Sequence, residues 1–126
     1  MAGSKVVIEL LRCHGYPRRI ASRVGDRISF LDLDAFTRFG ARDKLSYATV
    51  DGREHCVEQT IAELENTLAP SRFLRIHRAI LLNLDWVQEA TVSFSGKVVV
   101  LLKNARHTQL PVARDRVRLL KSRMNF

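Results

Sequence analysis

Cysteine is scarce in this chain. There are two, Cys13 and Cys56, with no C-x-x-C spacing. That excludes a disulfide framework and a thiolate zinc finger, and it fits two reduced thiols in a cytosolic setting. Four histidines, His14, His55, His77 and His107, are scattered and form neither H-x-x-x-H nor H-E-x-x-H. No metal and no cofactor are therefore expected. Long apolar runs are missing too. The longest candidates, "AILLNLDWV" and "VVVLL", are strand-length, well short of the ~18 apolar residues that a membrane-spanning helix needs. The opening "MAGSKVVIELLRC" carries one Lys and too short an apolar run for a signal peptide. There is no G-x-G-x-x-G, no P-loop and no nucleophile elbow. Gly25, Gly40, Gly52 and Gly96 read as isolated turn glycines. Together these absences argue against an enzyme and against membrane contact by this segment, and a cytoplasmic location is expected.

What remains is charge. The 126 residues carry a net charge of +8 and a pI near 10.3, with 46% hydrophobic and 27% charged residues. One domain with a proper core is expected at that length. The excess of cations points to a polyanion, nucleic acid first and an anionic membrane second. It is also lopsided. Residues 51–70 hold Asp51, Glu54, Glu58, Glu63 and Glu65 against Arg53 alone. Residues 103–123 hold Lys103, Arg106, Arg114, Arg116, Arg118, Lys121 and Arg123 against Asp115 alone. A one-sided basic surface is an electrostatic footprint.

The hydrophobic pattern is strand-rich. Residues 5–13 read as a short helix or strand, broken by "HGYP". "RIASRV" alternates up to the Gly25-Asp26 turn, and "RISFLDLDAFTRF" reads as two strands with a bend near Asp32 to Asp34. "GARDK" reads as a polar loop. "LSYATV" runs into Asp51-Gly52, the strongest hairpin signal present, with "REHCV" returning. In "TIAELENTLAP", Thr60 and Glu63 make a capping box, and Ile61, Leu64 and Leu68 form one apolar stripe that Pro70 ends. "FLRI", "AILLNL", "VQEATVSF", "KVVVLL" and "TQLPV" read as further strands, with turns at Ser95-Gly96 and "NARH". The tail "ARDRVRLLKSRM" reads as a short basic helix or helical turn. The fold class is mainly β, with about ten short, mostly antiparallel strands in an elongated multi-sheet fold. One short helix spans about residues 60–68, and a helical turn ends the chain.

Asp32 and Asp34 would share a face in a strand, but with no partner base or nucleophile nearby in sequence they read as a solvated turn. The cations fall instead at loops and strand ends. Arg42 and Lys44 lie in one loop; Arg72, Arg75, His77 and Arg78 surround a second; Arg106 and His107 lie in a third; Arg114, Arg116 and Arg118 follow a strand. Such positions project side chains toward a ligand. Arginine can bond a guanine edge with two parallel hydrogen bonds, and both cations grip phosphate. Ordinary surface cations are the plain alternative. The stretch "FLRIHRAILLNLDWV", residues 73–87, sharpens the choice. It is apolar on both sides of His77-Arg78, and burying an unpaired cation is very costly. The chain is therefore expected to turn there, as two strands with His77 and Arg78 facing outward.

The order and wording of these segments resemble the LytTR-type DNA-binding domains, output modules of many bacterial response regulators. The resemblance runs over about residues 18–123. It passes through "RVGDRISFLDLDAFTRF", "LSYATVDGREHCVEQTIAELENTL" and "FSGKVVVLLKNARHTQLPVARDRVRLLK". It is most specific at "FLRIHRAILLNLDWV", which follows the family's F-x-R-x-H-R-S/A-x-x-V/L-N-x-x-x-I/V signature. The resemblance implies sequence-specific double-stranded DNA binding through loops that enter successive major grooves and the minor groove between them. Carried over by position, it implies contacts at Lys44, at His77 and Arg78, and at Arg114. The loop cations Arg42 and Arg116 beside them complete the candidate DNA-binding set. Lys44 departs from the Asn or His common at its place, and Ala79 from the common Ser. It further implies two copies on promoter direct repeats, bent DNA, and a receiver or sensor domain in a full-length protein. Residues 1–17 match nothing in the family and are expected to be an extension or linker remnant. Two other readings compete. An RNA or single-strand binder would need exposed aromatics, and the chain is only 7% aromatic. A basic protein-interaction module would serve an acidic partner.

Overall fold

The alternating segments pair as neighbours. The structure, a computed structural model, describes residues 16–126 other than Asp51. The expected helix or strand over residues 5–13, with Cys13 and His14, lies outside the described residues. Ten strands and two α-helices follow in order: β1 (Arg19–Val24), β2 (Arg27–Asp32), β3 (Arg38–Arg42), β4 (Leu45–Val50), β5 (Arg53–Val57), α1 (Ile61–Thr67), β6 (Phe73–His77), β7 (Ile80–Asn83), β8 (Val87–Val92), β9 (Val98–Leu102), β10 (Gln109–Pro111) and α2 (Val117–Met124). They form three antiparallel sheets: β1-β2, a five-stranded sheet ordered β5-β4-β3-β7-β6, and a three-stranded sheet ordered β10-β9-β8. The mainly β fold read from the sequence is the fold observed. Pro111, which lacks an amide donor, sits in the edge strand β10 of its sheet.

Helix α1 forms where its capping box starts it. The Thr60 hydroxyl accepts from the Glu63 amide, and the Glu63 carboxylate accepts from the Thr60 amide, both at 3.1 Å. Its apolar stripe, Ile61, Leu64 and the following Leu68, enters the first core beside Phe36, Phe39, Phe73 and Leu81. Phe39 packs edge-on to Phe36, with ring centroids 5.4 Å apart. A second core gathers Leu74, Ile76, Leu82, Val98, Val100, Leu102 and Leu120. The β6-β7 hairpin thus lies between two cores. Phe73 and Leu81 point into one, while Leu74, Ile76 and Leu82 point into the other. That explains the unbroken apolar run, because a strand covered on both faces does not alternate.

Asn83 closes this layer. It is fully buried. Its Nδ2 donates to the Phe36 carbonyl at 2.9 Å and the Leu33 carbonyl at 3.4 Å, and its Oδ1 accepts from the Asp85 amide at 3.0 Å. One side chain therefore ties the end of β7 to the 3-10 turn Leu33–Ala35 that joins β2 to β3, and starts the 3-10 turn Leu84–Trp86. The indole of Trp86 donates to the Asp34 carbonyl at 2.9 Å, across the same junction. Asp32 ends β2 while Asp34 sits in the 3-10 turn, both exposed, at the bend read from the sequence.

Two readings need correction. Gly40 is no turn glycine: it lies within β3, paired to Tyr47 on one side and Ile80 on the other. "GARDK" is accordingly no five-residue loop. The strand runs on to Arg42, which pairs with Leu45, and only Asp43 and Lys44 form the turn.

Candidate nucleic-acid interface

Three turns meet at one end of the sheets, and each has a local cause. The first joins β3 to β4. Its two residues, Asp43 and Lys44, have φ of 53° and 65°. That is the left-handed pair of a type I′ hairpin, whose twist matches the flanking strands. A side chain there costs ~1–2 kcal/mol per residue relative to right-handed backbone. Lys44 is exposed at the tip. Arg42, just before the turn, is engaged within the molecule. Its Nη2 donates to Glu54 Oε1 at 2.9 Å and its Nη1 to Oε2 at 3.4 Å, and its guanidinium stands 4.8 Å from the Tyr47 ring centroid. The hydrogen bonds to Glu54 raise the Arg42 pKa, and the same bonds hold the Glu54 carboxyl below its usual range.

The second turn is Arg78-Ala79, between β6 and β7. A β-bulge precedes it: Arg75 pairs with Leu81 and His77 with Ile80, leaving Ile76 as the extra residue. Such a bulge re-aims the side chains beyond it. Ile76 stays wholly buried, while Arg78 is exposed and His77 half-buried. The turn is braced from inside. Arg75 donates through Nη2 and Nε to the Arg78 carbonyl, at 2.6 and 3.2 Å, and reaches Glu65 on α1 at 3.4 Å. His77 Nδ1 accepts the Ala79 amide at 3.2 Å. That bond assigns the neutral ring's proton to Nε2, where it can donate outward.

The third turn is the 3-10 segment Arg114–Arg116 that leads into α2. Arg114 is exposed and Arg116 half-buried. Backbone bonds fix the three turns to one another. The Ala41 amide donates to the Ala79 carbonyl at 3.0 Å, and the Ala113 amide to the carbonyl of the bulged Ile76 at 2.7 Å. His77 and Ala79 share a cleft with Arg42 and Tyr47. His77 and Arg78 share another with Ala113 and Arg116. Arg42, His77, Arg78 and Arg116 thus form a row along two adjoining clefts. Lys44 lies at the turn beyond Arg42, and Arg114 opens the 3-10 segment that holds Arg116.

Other cations of those loops have different employment. Arg72 pairs with Asp34 and with Asp85, the latter at 3.2 Å, and the hydrogen bond to Asp34 raises its pKa. It precedes β6, at the opposite end from the turn. Arg106 packs on Gly52 so closely that a methyl group there would stand 3.1 Å from its guanidinium. Arg38, half-buried within β3, has its pKa lowered by burial. Sequence reasoning counted Arg75 among the loop cations and passed over Asn83 and Glu54. Asn83 carried a signal, an amide within an apolar strand. Glu54 carried none before the β3-β4-β5 register was known. Among the described residues no His, Cys, Asp and Glu side chains gather as a metal-binding group, and no helix is long and apolar enough to cross a membrane.

A row of cations on adjoining turns of an antiparallel β scaffold is an arrangement suited to a polyanion. The LytTr DNA-binding domain family matches residues 26–125, and the chain belongs to that family. The solved LytTr domain of a Bacillus cereus response regulator superposes with a TM-score of 0.76 at 15% identity, covering 86% of this chain and 98% of that one; this likeness shows the fold. The sensory transduction protein LytT of Bacillus subtilis is 23% identical over 113 residues, 90% of this chain and 46% of LytT. The heme-containing CO-sensing transcriptional regulator RcoM 1 of Paraburkholderia xenovorans is 33% identical over 97 residues, 76% of this chain and 36% of that protein. The chain therefore spans less than half the length of these relatives.

Proposed function

We propose that this domain reads a specific sequence in double-stranded DNA as the output module of a bacterial transcription regulator. It performs no chemistry of its own. One observation carries the reading: two backbone hydrogen bonds, Ala41 to Ala79 and Ala113 to Ile76, set three cation-bearing turns side by side. In this arrangement Arg78 and Arg114 take base edges from adjoining turns on one face of the duplex. His77 donates from Nε2, and Lys44 and Arg116 hold phosphates. Arg42 reaches the duplex when it leaves Glu54. Two copies sit on direct repeats and bend the DNA, and in a longer protein a receiver or sensor domain governs them, in the cytoplasm at the nucleoid.

A selection from a random duplex pool tests this. The 126-residue chain should enrich one sequence and hold it against excess single-stranded DNA and RNA. Enrichment of single strands, or of no sequence, would refute the proposal.

A further inference from the structure

The β8-β9 hairpin ends beside the third turn and carries a residue that the recognition row leaves unused. Its tip is tightly built. The Gly96 amide donates to the Ser93 carbonyl at 3.0 Å, the Ser93 amide to the Lys97 carbonyl at 2.9 Å, and the Lys97 amide to the Ser93 hydroxyl at 3.1 Å. Gly96, at φ 84°, supplies the left-handed step that closes this three-residue loop. At its apex stands Phe94, with a relative exposure of 114%. Two residues earlier Val92 is itself 49% exposed. A phenylalanine left wholly in water forgoes all of its burial free energy, and the turn itself has no use for a ring at that position.

The surroundings say what the ring meets. The cleft beneath the loop is formed by Ser95, Gly96, Arg114, Val117, Arg118 and Lys121. Lys97 follows directly in sequence. Three cations and no carboxylate form that cleft. A ring on such ground fits a partner that is anionic outside and flat and apolar within. Stacked base pairs behind a phosphate backbone have that character, and proteins insert apolar wedges between them from the minor groove. Arg114 belongs to both the cleft and the recognition row, so the hairpin lies against the same duplex.

We propose that Phe94 is a wedge. The tip enters the minor groove beside the segment that Arg114 holds, the ring partly unstacks one base step, and Lys97, Arg118 and Lys121 hold the flanking phosphates. The wedge would make this hairpin a fourth DNA contact and the origin of a bend. It rests on the duplex-reading function proposed above.

The test places 2-aminopurine at successive positions of the duplex recovered by selection and titrates the 126-residue chain. With the wild-type chain, fluorescence should rise at one step. Phe94→Ala should abolish that rise and weaken binding roughly tenfold, the loss of one aromatic–base contact, while still preferring the selected duplex over a scrambled one. Because Phe94 touches no core, this variant should unfold at the wild-type temperature. A flat signal in the wild type, with equal affinity for Phe94→Ala, overturns the wedge and leaves the duplex reading intact. If the wild-type chain recovers no duplex, the duplex reading itself fails, and the wedge with it. If Phe94→Ala leaves DNA binding untouched but abolishes binding to phosphatidylglycerol vesicles, the ring serves a membrane surface, and the wedge is overturned.

Discussion

Lys44 holds a backbone conformation that glycine would hold at less cost. Strain of this kind persists where a side chain is needed at the tip. Lys44→Gly should therefore raise unfolding stability by ~1 kcal/mol and weaken DNA binding. Thermal unfolding and a DNA titration on the same protein would show both, and a loss of stability would contradict the strain. Arg42 and Glu54 make a second test. The Glu54 pKa is depressed in the folded chain. Whatever stability the pair adds is present above the unfolded carboxyl value and lost as pH falls through the folded one. Both groups are exposed, so the consequence falls on binding. Glu54→Gln should free Arg42 for phosphate and steepen the salt dependence of DNA affinity by about one unit of log K per log salt. An unchanged slope would show that Arg42 stays off the DNA. Arg78 was legible in the sequence, because an unpaired cation amid apolar residues has to face outward. The Arg42–Glu54 pair was not, because twelve residues and two strand registers separate the partners.

The β6-β7 hairpin shows the same division at the scale of an element. Its turn was legible from the cost of burying His77 and Arg78. Its two-sided burial was not, because a continuous apolar run reads alike in any buried strand. The bulge at Ile76 was hidden for a similar reason: it exists only as a pairing with β7. Turn chemistry failed at "GARDK", where Gly40 suggested a loop and the sheet instead carried the strand on to Arg42. The capping box of α1 and the β4-β5 hairpin were legible because their causes are local. Asn83 bears the hairpin's largest single obligation, with three hydrogen bonds in a dry site. Asn83→Ala should cost about 2–4 kcal/mol, since it orphans buried backbone groups. Denaturant unfolding would measure it, and a change within experimental error would show that the junction of β2, β3 and β7 holds without that amide.

Across the whole molecule, the charge seen in composition resolves into two regions. The acidic side chains of residues 51–70 are largely spent on caps and pairs: Glu63 in the capping box of α1, Glu54 with Arg42, Glu58 with Arg23, and Glu65 with Arg75. Lys44, Arg78 and Arg114 of the recognition row, with Arg118 and Lys121 of α2, are exposed around three turns and one hairpin tip. DNA affinity should fall steeply with salt, as phosphate neutralisation releases counterions. Sequence preference should rest on far fewer groups. The central claim is that the row reads bases as well as gripping phosphate, and Arg114 tests it most directly. Wild-type and Arg114→Ala chains would be titrated at one salt concentration against the selected duplex and a scrambled one. The wild type should prefer its selected site by ~10³-fold or more. Arg114→Ala should lose ~1–3 kcal/mol on that site and far less on the scrambled duplex. An equal loss on both would reduce Arg114 to a phosphate contact and contradict the reading of this face as a recognition surface.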